Sequence, residues 1–184
     1  EPKTYLDIGC STGGQLFSVM DVFPDAETYA IDVGAPMVRY GHARAEATGR
    51  KVHFSQQNAE TLDFPDNHFD LVTSSFFFHE ISVKSSKKIL KEVLRVLKPG
   101  GLMINQELPP ASLVSGPYED FVLDWDAYYN NEPHYWAFRH QDLEKLFTGA
   151  GFKKGNYTQF RAPNYGTWPD KITMGFVPSS EQES

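Results

Sequence analysis

The stretch Tyr5-Leu-Asp-Ile-Gly-Cys-Ser-Thr-Gly-Gly14 decides the fold of this chain. Residues 4–8 form a short, largely apolar run that ends at a glycine, which predicts a buried strand. The glycines that follow predict a turn into an amphipathic helix that begins at Gln15. A strand, a glycine turn and a helix in this order let a ligand approach bare backbone at the end of a parallel strand.

The alternation of strand and helix continues beyond this turn. Further strands are predicted over residues 27–32, 51–55, 69–75 and 102–105, and helices over residues 37–47 and 84–97. The second of these helices has apolar residues at helical spacing and is ended by Pro99-Gly-Gly101. Strands joined by helices imply a mostly parallel sheet with helices on both faces, so the predicted fold class is α/β.

The pattern changes after the fifth strand. Helices are predicted over residues 117–130 and 142–149, and two β-like runs that can pair antiparallel over residues 156–161 and 171–177. The first helix carries aromatic residues at i, i+3 and i+4 spacing, which fits either a core face or a substrate lid. An insertion at this point lies over the carboxyl ends of the sheet, where ligands bind. We therefore expect a single domain over residues 1–184, with an inserted helical lid segment over residues 108–138.

The composition narrows the class of protein. With 184 residues the chain is long enough for one domain with a core, and its net charge of −7 argues against a nucleic-acid backbone or an anionic membrane as partner. The single cysteine, Cys10, excludes an intrachain disulfide and fits a reducing compartment. No apolar run approaches the roughly 20 residues that cross a bilayer. We expect a cytoplasmic protein that acts on a small molecule and contacts neither nucleic acid nor membrane.

Three polar positions indicate a nucleoside ligand. Asp32 ends the second predicted strand, where an acidic side chain accepts hydrogen bonds from both hydroxyls of a ribose. Ser11 takes the middle glycine position of a dinucleotide fingerprint and no basic residue is near, which disfavours a pyrophosphate and hence a nicotinamide-dependent oxidoreductase. Asn58 follows the third predicted strand, where a polar side chain beside backbone N–H groups can bind the edge of an adenine.

Two longer strings complete a family pattern. They are Leu-Asp-Phe-Pro-Asp-Asn-His-Phe-Asp-Leu-Val over residues 62–72 and Leu-Arg-Val-Leu-Lys-Pro-Gly-Gly over residues 94–101. With the glycine turn and Asp32, the chain resembles the class I S-adenosylmethionine-dependent methyltransferases, and among them the small-molecule group of the ubiquinone/menaquinone type. The resemblance covers residues 4–107 and returns over residues 143–152. It implies a Rossmann-like three-layer αβα sandwich with a seven-stranded, mostly parallel sheet whose last strand is antiparallel.

The resemblance also implies S-adenosylmethionine as cofactor, with S-adenosylhomocysteine as its product. The implied cofactor-binding residues are Asp7, Gly9, Cys10, Ser11, Gly13, Asp32, Val33, Asn58, Ala59, Glu60, Ser74 and Ser75. Among them, Asp32 would hold the ribose and Asn58 with Ala59 would meet the adenine. Two features depart from the family. Ser11 replaces the commoner glycine, and the N-terminal helix that covers the cofactor in relatives is missing, so we expect the natural protein to be longer.

Candidate catalytic residues follow the fourth and fifth strands. His79 lies close to where a methyl group would be delivered and could act as a general base, or it could simply form a hydrogen bond at a strand end. Glu107, which ends the fifth strand, leaves the same two alternatives open. The candidate substrate-binding residues are Phe76, Tyr118, Trp125, Tyr128 and Trp136. The histidines and the one cysteine show no metal-ligand spacing, so we expect no metal.

Methyl transfer from a sulfonium is an in-line displacement, which an enzyme promotes mainly by alignment and by excluding water. An Asn/Asp-Pro-Pro-aromatic motif is missing after the fourth strand, which argues against the exocyclic amines of nucleic-acid bases as acceptors. An acidic, aromatic lid suits a small acceptor that is aromatic or cationic. Two alternatives stay open: an aminopropyltransferase-like enzyme on the same fold, which the acidic residues of the lid would suit, and a regulatory module that binds the cofactor without turnover.

Overall fold

The computed structural model describes residues 1–114, 116–162 and 172–178. Five parallel strands form the main part of one sheet: β1 (Thr4–Ile8), β2 (Glu27–Asp32), β3 (His53–Gln56), β4 (Phe69–Ser75) and β5 (Leu97–Glu107). Their spatial order is β3-β2-β1-β4-β5, so β1 lies at the centre between β2 and β4. The predicted Rossmann-like, mostly parallel sheet is confirmed.

Two more strands lie beyond β5. β6 (Thr158–Ala162) pairs antiparallel with β7 (Ile172–Pro178), and β7 pairs antiparallel with β5. The first β-like run predicted from the sequence corresponds to β6 and the second to β7. Lys171, with which the second run was predicted to begin, lies outside the described residues.

Helices cover both faces of the sheet. They are α1 (Gly14–Val22), α2 (Ala35–Ala47), α3 (Val83–Val96), α4 (Pro117–Tyr129), α5 (Tyr135–Arg139) and α6 (Leu143–Ala150). Successive strand residues point to opposite faces. Tyr5 of β1 accordingly packs in a cluster with Leu16 of α1, whereas its neighbour Leu6 packs in a second cluster with Val93 of α3 and Leu146 of α6. This alternation produces the three layers.

The start of β5 differs from the prediction. Sequence reasoning placed a strand only from residue 102, because Pro99-Gly-Gly101 reads as a turn. In the structure Leu97 already pairs with Phe69, and the register shifts before Leu102 pairs with Leu71. Gly100, with a φ of 79°, allows this irregularity. The strand therefore begins directly where α3 ends.

Helix α4 is attached to the protein by charge and not by its aromatic face. Among its described residues none is buried, so the interpretation of that face as core is wrong. Arg139 of α5 is the reason. Its side chain is 0 % exposed, its Nη1 donates to Asp124 at 2.7 Å and its Nη2 donates to Asp120. These two contacts hold Asp120 and Asp124 against α5, where both stay about half exposed, and the aromatic side chains of α4 are left exposed.

This ion-pair cluster leads to a stability prediction. We expect the double variant Asp120→Asn/Asp124→Asn to be less stable than Arg139→Met, because it leaves a buried guanidinium without its countercharges, at a cost of about 3–5 kcal/mol. Methionine instead fills much of the same volume, and it also removes the Arg139 Nε, which is buried without a hydrogen-bond partner. Urea denaturation of the two variants measures the difference. A greater loss of stability in Arg139→Met would contradict this account.

Candidate active site

The candidate site lies at the carboxyl ends of β1, β2 and β4. Because β1 pairs with β2 on one side and with β4 on the other, the connections from these strands diverge there. Such a divergence opens a crevice at the ends of the strands, the usual place for a ligand in an open α/β sheet.

The turn after β1 is shaped by two glycines in the left-handed region, Gly9 with φ 65° and Gly13 with φ 81°. A Cβ at Gly9 would lie only 2.4 Å from Cδ2 of Phe77, so the turn accepts no side chain at this position. Ser11 also has a positive φ, of 47°, which explains physically why glycine suits this position better. Glycine is therefore required at Gly9 by the packing of Phe77, while the approach of a ligand to this turn stays a prediction.

Asp32 connects this turn with the end of β2. Its Oδ2 accepts a hydrogen bond from the Ser11 N–H at 3.0 Å, and its Oδ1 accepts one from the Gly34 N–H at 2.8 Å. An ionised carboxylate offers about four acceptor sites, so two remain for other donors. Asp32 is therefore both rigidly held and able to accept hydrogen bonds from the two hydroxyls of a ribose.

Asp7 lies at the end of β1 and is buried. Its Oδ1 accepts a hydrogen bond from the Thr73 hydroxyl at 2.6 Å, and the Thr73 oxygen in turn lies 2.7 Å from the Tyr5 hydroxyl. Burial raises the pKa of Asp7 to about 7; the Thr73 bond opposes this shift and the charge of Asp32 adds to it. A cationic ligand group beside Asp7 would favour the ionised form of this carboxyl.

The segment after β3 forms a local turn. Asn58 Oδ1 accepts a hydrogen bond from the Glu60 N–H at 2.9 Å, Ala59 is buried, and Glu60 pairs with Lys88 at 2.5 Å. The turn is tied to the cofactor side of the sheet, because the Gln57 N–H donates to the Asp32 carbonyl at 3.1 Å. The Asn58 oxygen is thus used within the turn, and its amide N–H groups are the atoms left to meet a base.

The remaining predicted cofactor residues fall into two groups. Cys10 is buried, and burial raises the pKa of its thiol with the charges of Asp7 and Asp32 adding, so it packs and does not react. The hydroxyl of Ser74 is also buried and donates to Asn105 at 2.6 Å. By contrast, Val33, which follows β2, is exposed, and Ser75, at the end of β4, is half-buried. Each of these two residues can border a ligand at the carboxyl ends of the strands.

His79 and Glu107, which are distant in sequence, form one buried pair. His79 Nδ1 lies 2.7 Å from Glu107 Oε2, and the side chains are only 5 % and 2 % exposed. Glu107 Oε1 accepts hydrogen bonds from the N–H groups of Phe77 and Phe78, at 2.8 and 2.5 Å. One carboxylate therefore holds both the imidazole and the short 3-10 helix Phe78–Glu80 that carries it.

The side chains around His79 favour its protonated form. Burial by itself lowers the pKa of His79, but the hydrogen bond and charge of Glu107, with Glu132 and Glu80 adding, raise it above its ordinary value. With Nδ1 bonded to a carboxylate, Nε2 is the nitrogen that remains to exchange a proton. This is the arrangement of an oriented acid–base group.

Sequence reasoning missed Glu132 and Tyr135, both beside His79. Glu132 Oε2 lies 3.7 Å from His79 Nε2, and the Tyr135 ring meets the imidazole edge-on at 5.6 Å. Within the described part of the chain, the Glu132 Oε2 and the Tyr135 hydroxyl are buried without a hydrogen-bond partner. The only signal in the sequence was a carboxylate before Pro133 between two aromatic segments. No motif distinguishes such a residue.

The predicted substrate-binding residues are dispersed. Phe76 lies beside His79, with ring centroids 6.3 Å apart and a strained φ of 51°. Tyr128 and Trp136 line a groove of about 390 Å³ between α4 and α5. Tyr118 and Trp125 are exposed on α4, and neither is among the residues that line this groove.

Neither a metal site nor a membrane span is assigned. Among the described residues, His79, Glu80 and Glu132 bring their ligand atoms within 4.8 Å of one another. Ion pairs of His79 Nε2 with Glu80 and Glu132 account for this grouping, so we do not assign it to a metal, and the absence of a metal stays a prediction. A search of the described helices finds none with the length and apolar character needed to cross a membrane.

Comparison with known proteins identifies the family. Residues 6–101 match the model of the family described as "Methyltransferase domain", and the chain belongs to this family. The chain is 38 % identical over 109 residues to the demethylmenaquinone methyltransferase of Thermus thermophilus, covering 59 % of this chain and 49 % of that protein. It is also 38 % identical over 176 residues to the ubiquinone/menaquinone biosynthesis C-methyltransferase UbiE of Pseudomonas syringae pv. tomato. This match covers 85 % of this chain and 68 % of that protein. The resemblance noted in the sequence is thereby confirmed.

The chain spans about half the length of several curated relatives that it matches. Solved structures agree on the fold. A SAM-dependent methyltransferase from Methanosarcina mazei superposes with a TM-score of 0.72 at 20 % identity, covering 97 % of this chain and 93 % of that one. The apo methyltransferase SibL gives 0.75 at 15 % identity and covers 96 % and 50 %.

S-adenosylmethionine is the cofactor that this family implies, and the site fits it. The turn at Gly9 packs tightly against Phe77 and has no room for a side chain, and Asp32 has acceptor capacity left for a ribose. The buried carboxyl of Asp7 suits the positive charge of a sulfonium and an ammonium.

A glycine pair tests the turn. We expect Gly9→Ala to weaken S-adenosylhomocysteine binding at least tenfold and to lower stability by about 1–3 kcal/mol, because the new Cβ overlaps Phe77 and the left-handed φ disfavours alanine. Gly14→Ala is the matched control, since no atom lies within 4 Å of its Cβ position. Calorimetric titration and thermal unfolding of both variants measure the effects. Equal affinity in the two would show that the turn is not a ligand cradle.

Proposed function

We propose that the chain transfers a methyl group from S-adenosylmethionine to a hydroxyl-bearing aromatic ring of the quinol class. The observation that carries the proposal is the position of Phe77. Its ring packs on Gly9 in the cofactor turn, and its N–H donates to Glu107, which holds His79. The cofactor turn and an oriented acid–base pair are therefore adjacent. The names of the relatives, a demethylmenaquinone methyltransferase and a quinone C-methyltransferase, support a quinol acceptor.

The cofactor supplies an electrophilic methyl group on a sulfonium. Asp32 holds the ribose, Asn58 and Ala59 border the adenine, and the turn from Asp7 to Gly13 borders the methionine end. Ser75 and Phe76 lie at the end of β4, between this turn and the acceptor. These roles rest on the positions of the residues around the crevice, with Asp32 held by two backbone N–H groups.

On the acceptor side, His79 Nε2 takes the proton of a ring hydroxyl. The resulting oxyanion raises the electron density of the ring, and bound S-adenosylmethionine would supply the methyl group to it. If the acceptor atom were a ring carbon, that carbon would also have to lose its proton while His79 returns a proton to the oxygen, so that one proton is released per methyl group transferred. Glu107 keeps the Nδ1–H of His79 oriented and stabilises the imidazolium. The buried setting of both side chains excludes water from the proton transfer.

The domain bounds, the lid and the complete sheet are also part of the proposed enzyme. We infer a single domain over residues 1–184, with a lid segment over residues 108–138 and a seven-stranded sheet whose last strand is antiparallel. The backbone pairing of β7 with β5 supports the sheet, and the position of Glu132 beside His79 supports the lid. A cytoplasmic location fits a single free, buried cysteine.

The acidic residues of the lid support an aminopropyltransferase less than the sequence suggested. The sequence offers Glu119, Asp120, Asp124 and Asp126 for a polyamine channel, but Asp120 and Asp124 pair with the buried Arg139. One guanidinium offsets one of these two negative charges, so fewer acidic groups are left for a polyamine. Turnover with an acceptor separates the enzyme from a module that only binds the cofactor.

Asp32→Asn tests the nucleoside assignment. We expect its dissociation constant for S-adenosylmethionine to rise about 10- to 100-fold, since an amide loses one of the acceptor atoms that hold Ser11 and Gly34 and weakens the hydrogen bonds to a ribose. Calorimetric titration measures the constant. Asp21→Asn, which removes only a surface ion pair with Arg50, is the control and should bind normally. Tight binding of NAD in place of the sulfur cofactor would overturn the proposal.

The pH dependence tests the acid–base pair. Because the pKa of His79 is raised, the neutral base form accumulates only above its ordinary value of 6.5, so kcat should rise with pH through a pKa above that value. His79→Ala should lose about 10²- to 10⁴-fold in kcat. Glu107→Gln should lower kcat and move the inflection to lower pH.

The pair of His79 and Glu107 also makes stability depend on pH, in the direction opposite to that of kcat. With rising pH kcat should increase, whereas the stability that the pair contributes should decrease. A histidine whose pKa is raised on folding contributes stability that is complete below the unfolded pKa and is lost as the pH rises through the folded pKa. Glu107→Gln should therefore lose stability mainly at acidic pH, which thermal unfolding between pH 5 and 9 would record. An unchanged pH–rate profile in Glu107→Gln would show that Glu107 does not act on His79.

A further inference from the structure

A chain of buried hydroxyl groups leads to Asp7 from the interior of the sheet. The Tyr5 hydroxyl oxygen lies 2.7 Å from Thr73 Oγ1, which lies 2.6 Å from Asp7 Oδ1. The strand register pairs Asp7 of β1 with Thr73 of β4, and Tyr5 lies two residues before Asp7, on the same side of β1. All three side chains are buried, and neither Tyr5 nor Thr73 is among the residues assigned to the cofactor.

The hydrogen bonds of this chain run in one direction. A hydroxyl has a single proton to donate, and that of Thr73 is donated to Asp7 Oδ1. Tyr5 is therefore the donor in its own bond to Thr73. Burial raises the pKa of Tyr5 above its usual range, and the charge of Asp7 adds to this shift, so the phenol keeps the proton that it donates.

The reverse direction would leave a buried donor unpaired. If Asp7 carried a proton on Oδ1, it would donate to Thr73, and Thr73 would donate to Tyr5. The proton of Tyr5, whose side chain is fully buried, would then have no acceptor among the described residues. Such a donor costs free energy comparable to a lost hydrogen bond. Oδ1 of Asp7 therefore stays an acceptor, and a proton on this carboxyl is confined to Oδ2.

Oδ2 is the oxygen of Asp7 that a ligand can reach. It makes no hydrogen bond to a described residue, and yet it is not among their buried side-chain atoms without a partner. Oδ2 therefore keeps accessible surface, although Asp7 as a whole is buried. Since Asp7 lies two residues before Gly9, this surface is next to the cofactor turn.

The free protein holds a proton on Asp7 for part of the time at neutral pH. Burial raises its pKa to about 7, the Thr73 hydrogen bond opposes this shift, and the charge of Asp32 adds to it. The titratable groups that act on Asp7 are Asp32 from β2, Cys10 from the turn and Tyr5 from β1, while α1 contributes the apolar Leu16 on this side. A cationic group at Oδ2 favours the ionised carboxyl and so displaces the proton.

We propose that the hydroxyl chain of Tyr5 and Thr73 couples cofactor binding to the release of one proton from Asp7 Oδ2 to solvent. The proposal rests on the proposed function for the place of the methionine end, whose ammonium group is the cation that meets Oδ2. Thr73 is a positioning residue, because its hydroxyl acts on the ligand only through Asp7. Tyr5 fixes the direction of the Thr73 bond, which keeps the titrating oxygen on the ligand side.

The test measures S-adenosylhomocysteine binding by calorimetry between pH 5 and 8, because this product has the same ammonium group as the cofactor. The affinity of the unmodified protein should rise by about tenfold per pH unit below the pKa of Asp7 and level off above it. Titrations at pH 7 in buffers of different ionisation enthalpy should show the release of roughly half a proton per ligand, since about half of Asp7 is protonated there. Asp7→Asn should bind more weakly at pH 8 and without this pH dependence.

Thr73→Val keeps the shape of the side chain and removes the hydroxyl that stabilises the ionised carboxylate. The inflection should move up by about one pH unit, which weakens binding about tenfold at pH 6 but only about twofold at pH 8. Thr73→Ser should restore the original curve. Thr28→Val is the matched control, because Thr28 is a buried strand residue whose hydroxyl donates to the Ala26 carbonyl and does not contact Asp7. Tyr5→Phe should shift the inflection in the same direction by less, since Thr73 is then free to accept a proton from Asp7.

A merely structural role of Thr73 would weaken binding equally at every pH, and that result would overturn the coupling. The same holds for a binding heat at pH 7 that is equal in all buffers, or for a pH dependence that persists in Asp7→Asn. These outcomes leave the cofactor assignment intact. Failure of the unmodified protein to bind S-adenosylhomocysteine at any pH would instead overturn the proposed function, and the coupling with it.

Discussion

One buried carboxylate, that of Glu107, holds together the part of the candidate site around His79. It accepts hydrogen bonds from two consecutive backbone N–H groups, those of Phe77 and Phe78, and it binds the imidazole of His79. A buried carboxylate is stable only when its oxygens are satisfied, and here both are. Because the ring of Phe77 also packs on Gly9, the position of this carboxylate is coupled to the shape of the cofactor turn.

Much of the fold and half of the candidate site follow from local sequence. The strands β1, β2 and β4 have the predicted bounds, because each is an apolar run bounded by turn residues. His79 and Glu107 could be proposed one by one, since each follows a strand. Their contact could not be, because it depends on the register of β4 against β5, in which Ser75 pairs with Gln106, the residue before Glu107. Register is a property of two strands and is not encoded locally.

Helix α4 is where sequence reasoning fails, and the cause is a single buried guanidinium. Aromatic residues at helical spacing are typical of a helix that packs into a core. In α4 the contacts of Asp120 and Asp124 with Arg139 rotate that face outward. The same rotation brings the turn after α4 to His79 and so places Glu132 at the base. These ion pairs join residues of two different helices. The spacing of apolar residues within α4 alone therefore does not predict which face of the helix is exposed.

The carboxyl edge of the sheet gathers acidic groups, and this bears on the choice of ligand. Asp32 and Glu107 end two strands of the same sheet and Asp7 is the residue before the last of a third, and the burial that raises the pKa of Asp7 to about 7 is reinforced by the charge of Asp32. A pyrophosphate would add negative charge to this edge and raise the electrostatic cost further. S-adenosylmethionine carries a net positive charge at neutral pH, so a bound S-adenosylmethionine would favour the ionised forms of these carboxyls. The acidic edge therefore fits a sulfonium cofactor better than a dinucleotide, for a reason that is electrostatic and independent of the shape of the glycine turn.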